Sequence, residues 1–182
     1  NTIGYRLVTA NTPYCGTKIA RAGLLLHDVN QYSDQAAARF VLGFNGPVSI
    51  NAVAAGSASA IAGLRAGDDI AAINGSKIDD ISFDISETGK ELPAYRRIAA
   101  INAILAKSLG QGPVMLDILR AGKKQVVTVE PQRTCPGRFQ IEVSDNRNAS
   151  ADGKMVSVSS KLAEYFQSDD EFAAVVAHEL AH

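Results

Sequence analysis

The five residues His178, Glu179, Leu180, Ala181 and His182 at the end of the chain have the types and spacing for hydrolytic chemistry. The two histidines are four positions apart, so on a helix both imidazoles would project from one face and could share one Zn²⁺. Glu179 would then lie beside the attacking water as general base, as in the H-E-x-x-H zinc peptidases. The competing interpretation is a chance match on an ordinary amphipathic helix, which is rare in a chain with 3 histidines.

The sequence does not supply a third zinc ligand. Catalytic zinc sites normally have three protein ligands, and no residue follows His182 that could be the third. We therefore expect the 182 residues to be an inactive N-terminal fragment of a longer enzyme, in which zinc binding is weak or absent. The remaining histidine, His27, has no partner at ligand spacing, which indicates a structural or solvent-facing role.

The residues before the motif predict the helix that would carry it. Ser168 and Glu171 have the spacing of a capping box, in which two side chains bond the first free amides of a helix. Apolar residues then recur at helical spacing through Leu180. Upstream, the pattern predicts strands at 139–143 and 155–158, followed by a short helix that Ser159 or Ser160 would cap.

Composition excludes several classes of partner. A net charge of −1 gives no electrostatic reason to expect binding to nucleic acid or to an anionic membrane surface. No apolar run approaches the roughly 20 residues of a membrane-spanning helix. The first residue is asparagine, which is compatible with removal of a leader or export signal.

The stretch from Phe40 to Pro131 is predicted to form one self-contained unit. It begins with an alternating strand, and Ser57 then offers an N-cap for a short helix that ends at Gly63. The dipeptide Asn74-Gly75 favours a tight turn after the next strand. The predicted ranges are strands 48–52, 70–73, 114–119 and 125–130, an irregular loop 76–92 and a long helix 94–109.

Two segments of this unit resemble the signature of PDZ domains. The segment Val41-Leu42-Gly43-Phe44 resembles the G-L-G-F peptide-binding loop, with Val in place of the first Gly. The segment 56–75 is similar to the G-S-P-A-x-x-A-G-L-x-x-G-D-x-I-x-x-I-N-G pattern of bacterial PDZ modules.

The PDZ resemblance implies an α+β fold, a small β-barrel or sandwich with two helices. It also implies that the backbone N–H groups of Leu42, Gly43 and Phe44 receive a peptide's C-terminal carboxylate. The peptide would lie as an added strand beside the helix 94–109. The competing interpretation is a PDZ-like core without a free groove, which would only position another domain.

The C-terminal part resembles the prenyl-protease/HtpX family of zinc metallopeptidases. The matching segments are 148–159, which begins Asn-Ala-Ser-Ala, and 169–182, which ends in the H-E-x-x-H motif. The resemblance implies that His178 and His182 bind zinc, that Glu179 activates water, and that a glutamate on a later helix completes the site. The strand 155–159 would be the edge along which the substrate backbone lies.

These resemblances predict a PDZ-like domain inserted into a split zincin-type domain. The predicted parts are residues 1–39 and 132–182 of the peptidase and 40–131 of the PDZ-like domain. Within the first part, 3–8 and 22–26 are predicted as strands and 31–39 as a short helix.

The 2 cysteines, Cys15 and Cys135, would lie on either side of the insertion. A disulfide between them would connect the halves of the split domain and favour an extracytoplasmic location, in the periplasm or at the envelope. The alternative is two unrelated buried thiols.

The leading hypothesis is a zinc metalloendopeptidase that cleaves protein substrates selected by its PDZ module through C-termini or exposed strands. The alternative is a non-catalytic PDZ module that binds or regulates partner peptides.

Overall fold

The computed structural model describes residues 2–82 and 93–181. The chain divides into two compact units: the first contains residues 1–19 and 133–182, and the second contains residues 20–132. The predicted boundary at Phe40 is therefore wrong for residues 20–39, which belong to the second unit. The physical reason is strand pairing, because the strand Leu24–Asp28 pairs with the strand Val48–Val53.

The helices and strands are numbered in chain order. The helices are α1 (Thr2–Ala10), α2 (Gln35–Leu42), α3 (Ala58–Ile61), α4 (Pro93–Gln111), α5 (Ser160–Ala163) and α6 (Asp169–Leu180), with 3₁₀ helices at Val29–Gln31 and Ile78–Asp80. The strands are β1 (Ile19–Arg21), β2 (Leu24–Asp28), β3 (Val48–Val53), β4 (Asp69–Ile73), β5 (Ser76–Lys77), β6 (Val114–Arg120), β7 (Lys123–Val129), β8 (Gln132–Thr134), β9 (Arg138–Glu142), β10 (Ala149–Ala151) and β11 (Met155–Ser159).

The second unit contains a sheet of order β2-β3-β4-β6-β7, in which β5 also pairs with β4. The predicted α+β class is confirmed, but the sheet does not close into a barrel among the described strands, because β2 and β7 end its path. Helix α4 packs against β2 and β6. The core of this unit is formed mainly by aliphatic side chains from the sheet and α4, including Ile50, Ile73, Ile101, Leu116 and Ile118.

Local signals explain most elements of this unit. Ser57 accepts a hydrogen bond from the amide of Ala60 and so caps α3. Asn74 and Gly75 have φ values of 49° and 81°, as the tight turn between β4 and β5 requires. The buried positions of α4 recur every three or four residues: Ala94, Ile98, Ile101, Leu105 and Leu109.

The loop predicted over 76–92 is only partly irregular. Residues 76–77 form β5, and a 3₁₀ turn with a buried Ile78 follows. Residues 83–92 lie outside the described part of the chain. None of the described helices combines the length and apolar character needed to cross a bilayer.

The first unit has a three-stranded sheet of order β10-β11-β9. Strand β11 pairs antiparallel with β10 and parallel with β9. Helix α6 packs against β10 and β11, with Val156, Val158 and Val176 at the centre of a small apolar cluster. The helix α1 packs against α6.

The prediction of a strand at 3–8 is wrong, because these residues belong to α1. Their apolar side chains alternate as in a strand, but Gly4, Tyr5 and Val8 are the buried residues of α1. Residues three and four positions apart lie together on one side of a helix, as Val8 does with Tyr5 and Gly4. The packing of α1 against α6 therefore stabilises a helix here, although the local alternation of apolar residues favours a strand.

The close contact of α1 with β9 makes Gly4 sensitive to substitution. A Cβ atom at Gly4 would overlap the ring of Phe139, whereas a Cβ at Gly110 in α4 would meet nothing within 4 Å. We expect Gly4→Ala to destabilise the first unit by about 1–3 kcal/mol. The matched change Gly110→Ala should be neutral or stabilise the second unit by up to about 1 kcal/mol. Urea unfolding followed by circular dichroism measures both, and a Gly4→Ala protein as stable as wild type would contradict the packing.

Candidate functional site

The helix that carries the H-E-x-x-H motif begins where the capping box predicts. The Ser168 hydroxyl accepts a hydrogen bond of 3.3 Å from the amide of Glu171. The Glu171 carboxylate in turn accepts one of 2.9 Å from the amide of Gln167, one residue earlier than in a standard capping box. These bonds and the acidic first turn stabilise the N-terminus of α6.

The last turn of α6 presents the first two residues of the motif, His178 and Glu179, at the surface of the first unit. His178 is exposed and Glu179 is half-buried, while Leu180 packs against the apolar cluster. The helix is intact through this turn, since the amide of Ala181 donates to the carbonyls of Ala177 and His178. The predicted second histidine, His182, lies outside the described residues.

The donor types at the end of α6 fit a zinc site, but the described residues do not complete one. Imidazole is a common zinc ligand, and a carboxylate next to it suits a general base. Across residues 2–82 and 93–181, no group of three or more His, Cys, Asp or Glu side chains could hold a metal ion. The sequence therefore supplies His178 and His182 as candidate ligands, and a third ligand is not among the described residues.

The edge strand beside α6 is β10, and the prediction of β11 as the edge is wrong. Strand β11 has β10 on one side and β9 on the other, so a substrate strand cannot add to it. Among the described strands, β10 ends the sheet, and it packs against α6. Two bonds fix its start: the amide of Asn148 donates to the Ser159 hydroxyl, and the amide of Ser159 donates to the Asn148 carbonyl.

The turn from β10 to β11 is fixed by Asp152. Its carboxylate accepts hydrogen bonds of 2.8 and 2.7 Å from the amides of Lys154 and Met155. These bonds hold the pKa of Asp152 below its ordinary value. Sequence reasoning did not predict β10 as a strand, because its Ala-Ser-Ala sequence has low strand propensity.

The structure does not support the predicted peptide-binding loop at 41–44. Val41 and Leu42 are the last residues of α2, Gly43 is its left-handed C-cap and Phe44 is buried. The strand that follows, β3, is paired with β2 on one side and β4 on the other. A ligand strand therefore cannot add after these residues, and this assignment is wrong because sheet order is not visible in the local sequence.

The edge strand that lies beside α4 is β2. It follows Gly23, whose φ of 77° favours glycine, and no other described strand pairs with its outer edge. The turn before it is fixed by two hydrogen bonds: Ser59 donates its amide to the Ala22 carbonyl (3.0 Å) and Ala54 donates to the Gly23 carbonyl (2.8 Å). A glycine before the apolar run Leu24–Leu26 was the available sequence signal.

An ion pair connects α4 to the far end of β2. Arg97 lies 3.3 Å from the carboxylate of Asp28 and 2.7 Å from that of Asp79. Asp28 is almost fully buried and also accepts from the backbone and side-chain nitrogens of Asn30, so its charge is well compensated. This pair holds the helix beside the strand, and the strip between them is the candidate peptide groove.

The cysteines form a disulfide within the first unit. Cys15 and Cys135 are bonded, with their Cα atoms 5.7 Å apart and 120 positions apart in sequence. The amide of Cys135 also donates to the carbonyl of Val8 in α1. The alternative of two unrelated thiols does not apply in the structure.

Two family models match the chain. The model of the PDZ domain matches residues 23–85, and that of Peptidase family M48 matches residues 121–182. The PDZ match begins at Gly23, directly before β2. No curated protein matches the chain.

Similar solved structures include a PDZ domain protein from Parabacteroides distasonis ATCC 8503, with 20% identity and a TM-score of 0.42. The similarity covers 65% of this chain but 21% of that protein. The HtrA3 PDZ domain bound to a phage-derived ligand (FGRWV) has 16% identity, a TM-score of 0.42 and coverage of 65% and 89% of the two chains. The chain therefore contains a stretch that matches the PDZ domain and, after it, a stretch that matches Peptidase family M48.

Proposed function

We propose that this chain belongs to a zinc metalloendopeptidase of the prenyl-protease/HtpX type, in which the PDZ domain selects or tethers protein substrates. The observation that carries the proposal is the H-E-x-x-H sequence, whose His178 and Glu179 lie on the last turn of α6, within the region that matches Peptidase family M48.

The catalytic roles follow from the chemistry of the side chains. His178 and His182 would hold the zinc ion through their imidazoles. Bound zinc would polarise the scissile carbonyl and make water a stronger nucleophile. Glu179 would take the proton from the attacking water and return it to the leaving amine, because its carboxylate neighbours the first histidine and is only half-buried.

The substrate backbone would be positioned by the free edge of β10. An extended peptide can add to an edge strand through main-chain hydrogen bonds, which are independent of side-chain identity. Because β10 packs against the helix that carries Glu179, the added strand would lie near the motif.

The PDZ domain would bind a second part of the substrate in the groove between β2 and α4. The turn at Gly23 would receive the terminal carboxylate, and the ligand would extend along β2 antiparallel to it. The disulfide supports an extracytoplasmic location, in the periplasm or at the envelope, since such bonds persist in oxidising compartments.

The proposal is tested on the protein that contains this chain. We expect bound zinc by elemental analysis, hydrolysis of an unfolded protein substrate, loss of hydrolysis with a zinc chelator and recovery on adding zinc. His178→Ala should remove both zinc and activity, while Asp170→Ala on the first turn of the same helix should keep both. Protein that remains metal-free after incubation with zinc would refute the peptidase function.

A second candidate function is a non-catalytic module that binds partner peptides. The free edge of β2 beside α4 favours this function, because a peptide could bind there without zinc binding or hydrolysis in the first unit. Peptide binding by a protein that holds no zinc and hydrolyses nothing would establish this function instead.

A further inference from the structure

The aromatic group at the far end of β2 is the feature from which we draw a further inference. The Nδ1 atom of His27 is hydrogen-bonded to the hydroxyl of Tyr32. Phe44, which is buried, packs against both rings at centroid distances of 6.3 Å. The imidazole is therefore held in one place by a hydrogen bond and by packing, although it is only half-buried.

His27 lies on the face of β2 that points away from the hydrophobic core of the second unit. Leu24 and Leu26 pack into the core beside α4, and Asp28 binds Arg97 of that helix. Side chains alternate along a strand, so Leu25 and His27 share the other face.

Tyr32 connects this face to α4. Burial raises the pKa of the Tyr32 hydroxyl, and the electrostatic effect of Tyr95, on the first turn of α4, raises it further. The 3₁₀ turn Val29–Gln31 between His27 and Tyr32 also packs against α4. The groove therefore ends where β2 ends. Of the two β2 side chains on the outer face, Leu25 and His27, His27 is the one nearer to this end.

The register of a bound peptide follows from this geometry. A peptide whose carboxylate lies at the turn of Gly23 and which runs antiparallel to β2 passes one residue for each residue of the strand. Its last residue is then beside Leu24 and its third residue before the last is beside His27. Cross-strand neighbours share a face, so this ligand side chain is directed towards the imidazole.

The imidazole can offer this side chain a hydrogen bond. Burial lowers the pKa of His27, and the pKa of Tyr32 is raised, so at neutral pH the ring is neutral and the tyrosine keeps its proton. When the Tyr32 hydroxyl donates to Nδ1, the ring hydrogen is on Nε2, which makes no hydrogen bond to another described residue.

We propose that His27, oriented by Tyr32, selects peptides with a hydrogen-bond acceptor in the side chain of the third residue before the C-terminus. This inference rests on the proposed function of the β2–α4 groove as a site for peptide C-termini. Tyr32 is a positioning residue in it, since it acts on the ligand only through His27.

The test is binding of fluorescein-labelled peptides Gly-Gly-Xaa-Ala-Ala-Val, with Xaa either Gln or Met, to the 182-residue chain. The two side chains have similar length, but only Gln offers an acceptor oxygen. We expect the Gln peptide to bind about threefold to tenfold more tightly, the range of one hydrogen bond. His27→Phe should remove this preference, His27→Gln should retain part of it because its amide can donate, and Tyr32→Phe should reduce it.

A second peptide pair, with Gln or Met at the residue before the last, is the positional control. This residue would lie beside Leu25, so the His27 variants should not change its preference. A Gln preference that persists in His27→Phe, while binding still needs the free carboxylate, overturns the inference and leaves the groove intact. Equal binding of peptides with free and amidated C-termini, or no binding at all, overturns the groove function and the inference with it.

Discussion

Replacing Glu179 with Gln in the protein that contains this chain should lower kcat/KM for peptide hydrolysis by about 10²–10⁴-fold. Glutamine has the shape of glutamate but cannot accept a proton from water at neutral pH. The zinc content should remain unchanged, because the proposed ligands are His178 and His182. Hydrolysis of an unfolded protein substrate and elemental analysis of the same sample measure the two quantities together.

The matched control is Glu164→Gln. Glu164 is an exposed carboxylate at the end of α5, paired at 3.3 Å with Lys161, and such surface pairs contribute little to stability. This variant should hydrolyse the substrate at the wild-type rate. If Glu179→Gln kept more than a tenth of the activity, or lost its zinc, Glu179 would not be the general base.

Removing the disulfide should destabilise the first unit by about 4–5 kcal/mol, the value of the chain-entropy model for a closed loop of this length. The bonded cysteines are 120 positions apart, so the reduced, unfolded chain gains many conformations. We expect Cys15→Ser combined with Cys135→Ser to loosen α1 first, because the bond tethers the segment that directly follows α1 to Cys135.

Amide hydrogen exchange measures this effect separately in each unit. Exchange should become faster in α1 and α6 and remain unchanged in α4 of the second unit. Wild-type protein treated with a reductant should behave like the double variant, and the double variant should not respond to the reductant. Equal protection of α1 with and without the bond would contradict this role.

The elements that could be predicted from the sequence are those with strong local signals. Helix α4 has an apolar period along its whole length, and β6 and β7 are joined by a turn at Ala121-Gly122 where both residues have positive φ. The Ser57 and Ser168 caps were also predicted, because a cap depends on neighbouring residues alone.

The errors concern features that depend on distant parts of the chain. The helix α1 was mistaken for a strand because its contact with α6 is made by residues more than 150 positions away, and the local pattern favours extended structure. The strand β10 has only three residues, all with small side chains, so its local sequence does not indicate a strand. It becomes recognisable only from its pairing with β11.

The candidate peptide loop shows the same limit at the site. The Leu-Gly-Phe sequence at 42–44 has the composition of the PDZ loop, but the order of the strands shows that β2, and not β3, has the free edge. The helix that carries His178 and Glu179 was predicted from local signals, and the roles of these two residues in zinc binding and catalysis are part of the proposed function.

The interrupted first unit also has a consequence for biosynthesis. Cys15 leaves the ribosome 120 residues before its partner, which at roughly 5–20 residues per second is a delay of several seconds or more. During this interval the second unit, which is continuous in sequence, can complete its own core, while α1 has no partner helix to pack against. If the growing chain enters an oxidising compartment, the Cys15 thiol must stay unpaired until Cys135 emerges, and an isomerase would correct any bond formed meanwhile with another chain's cysteine.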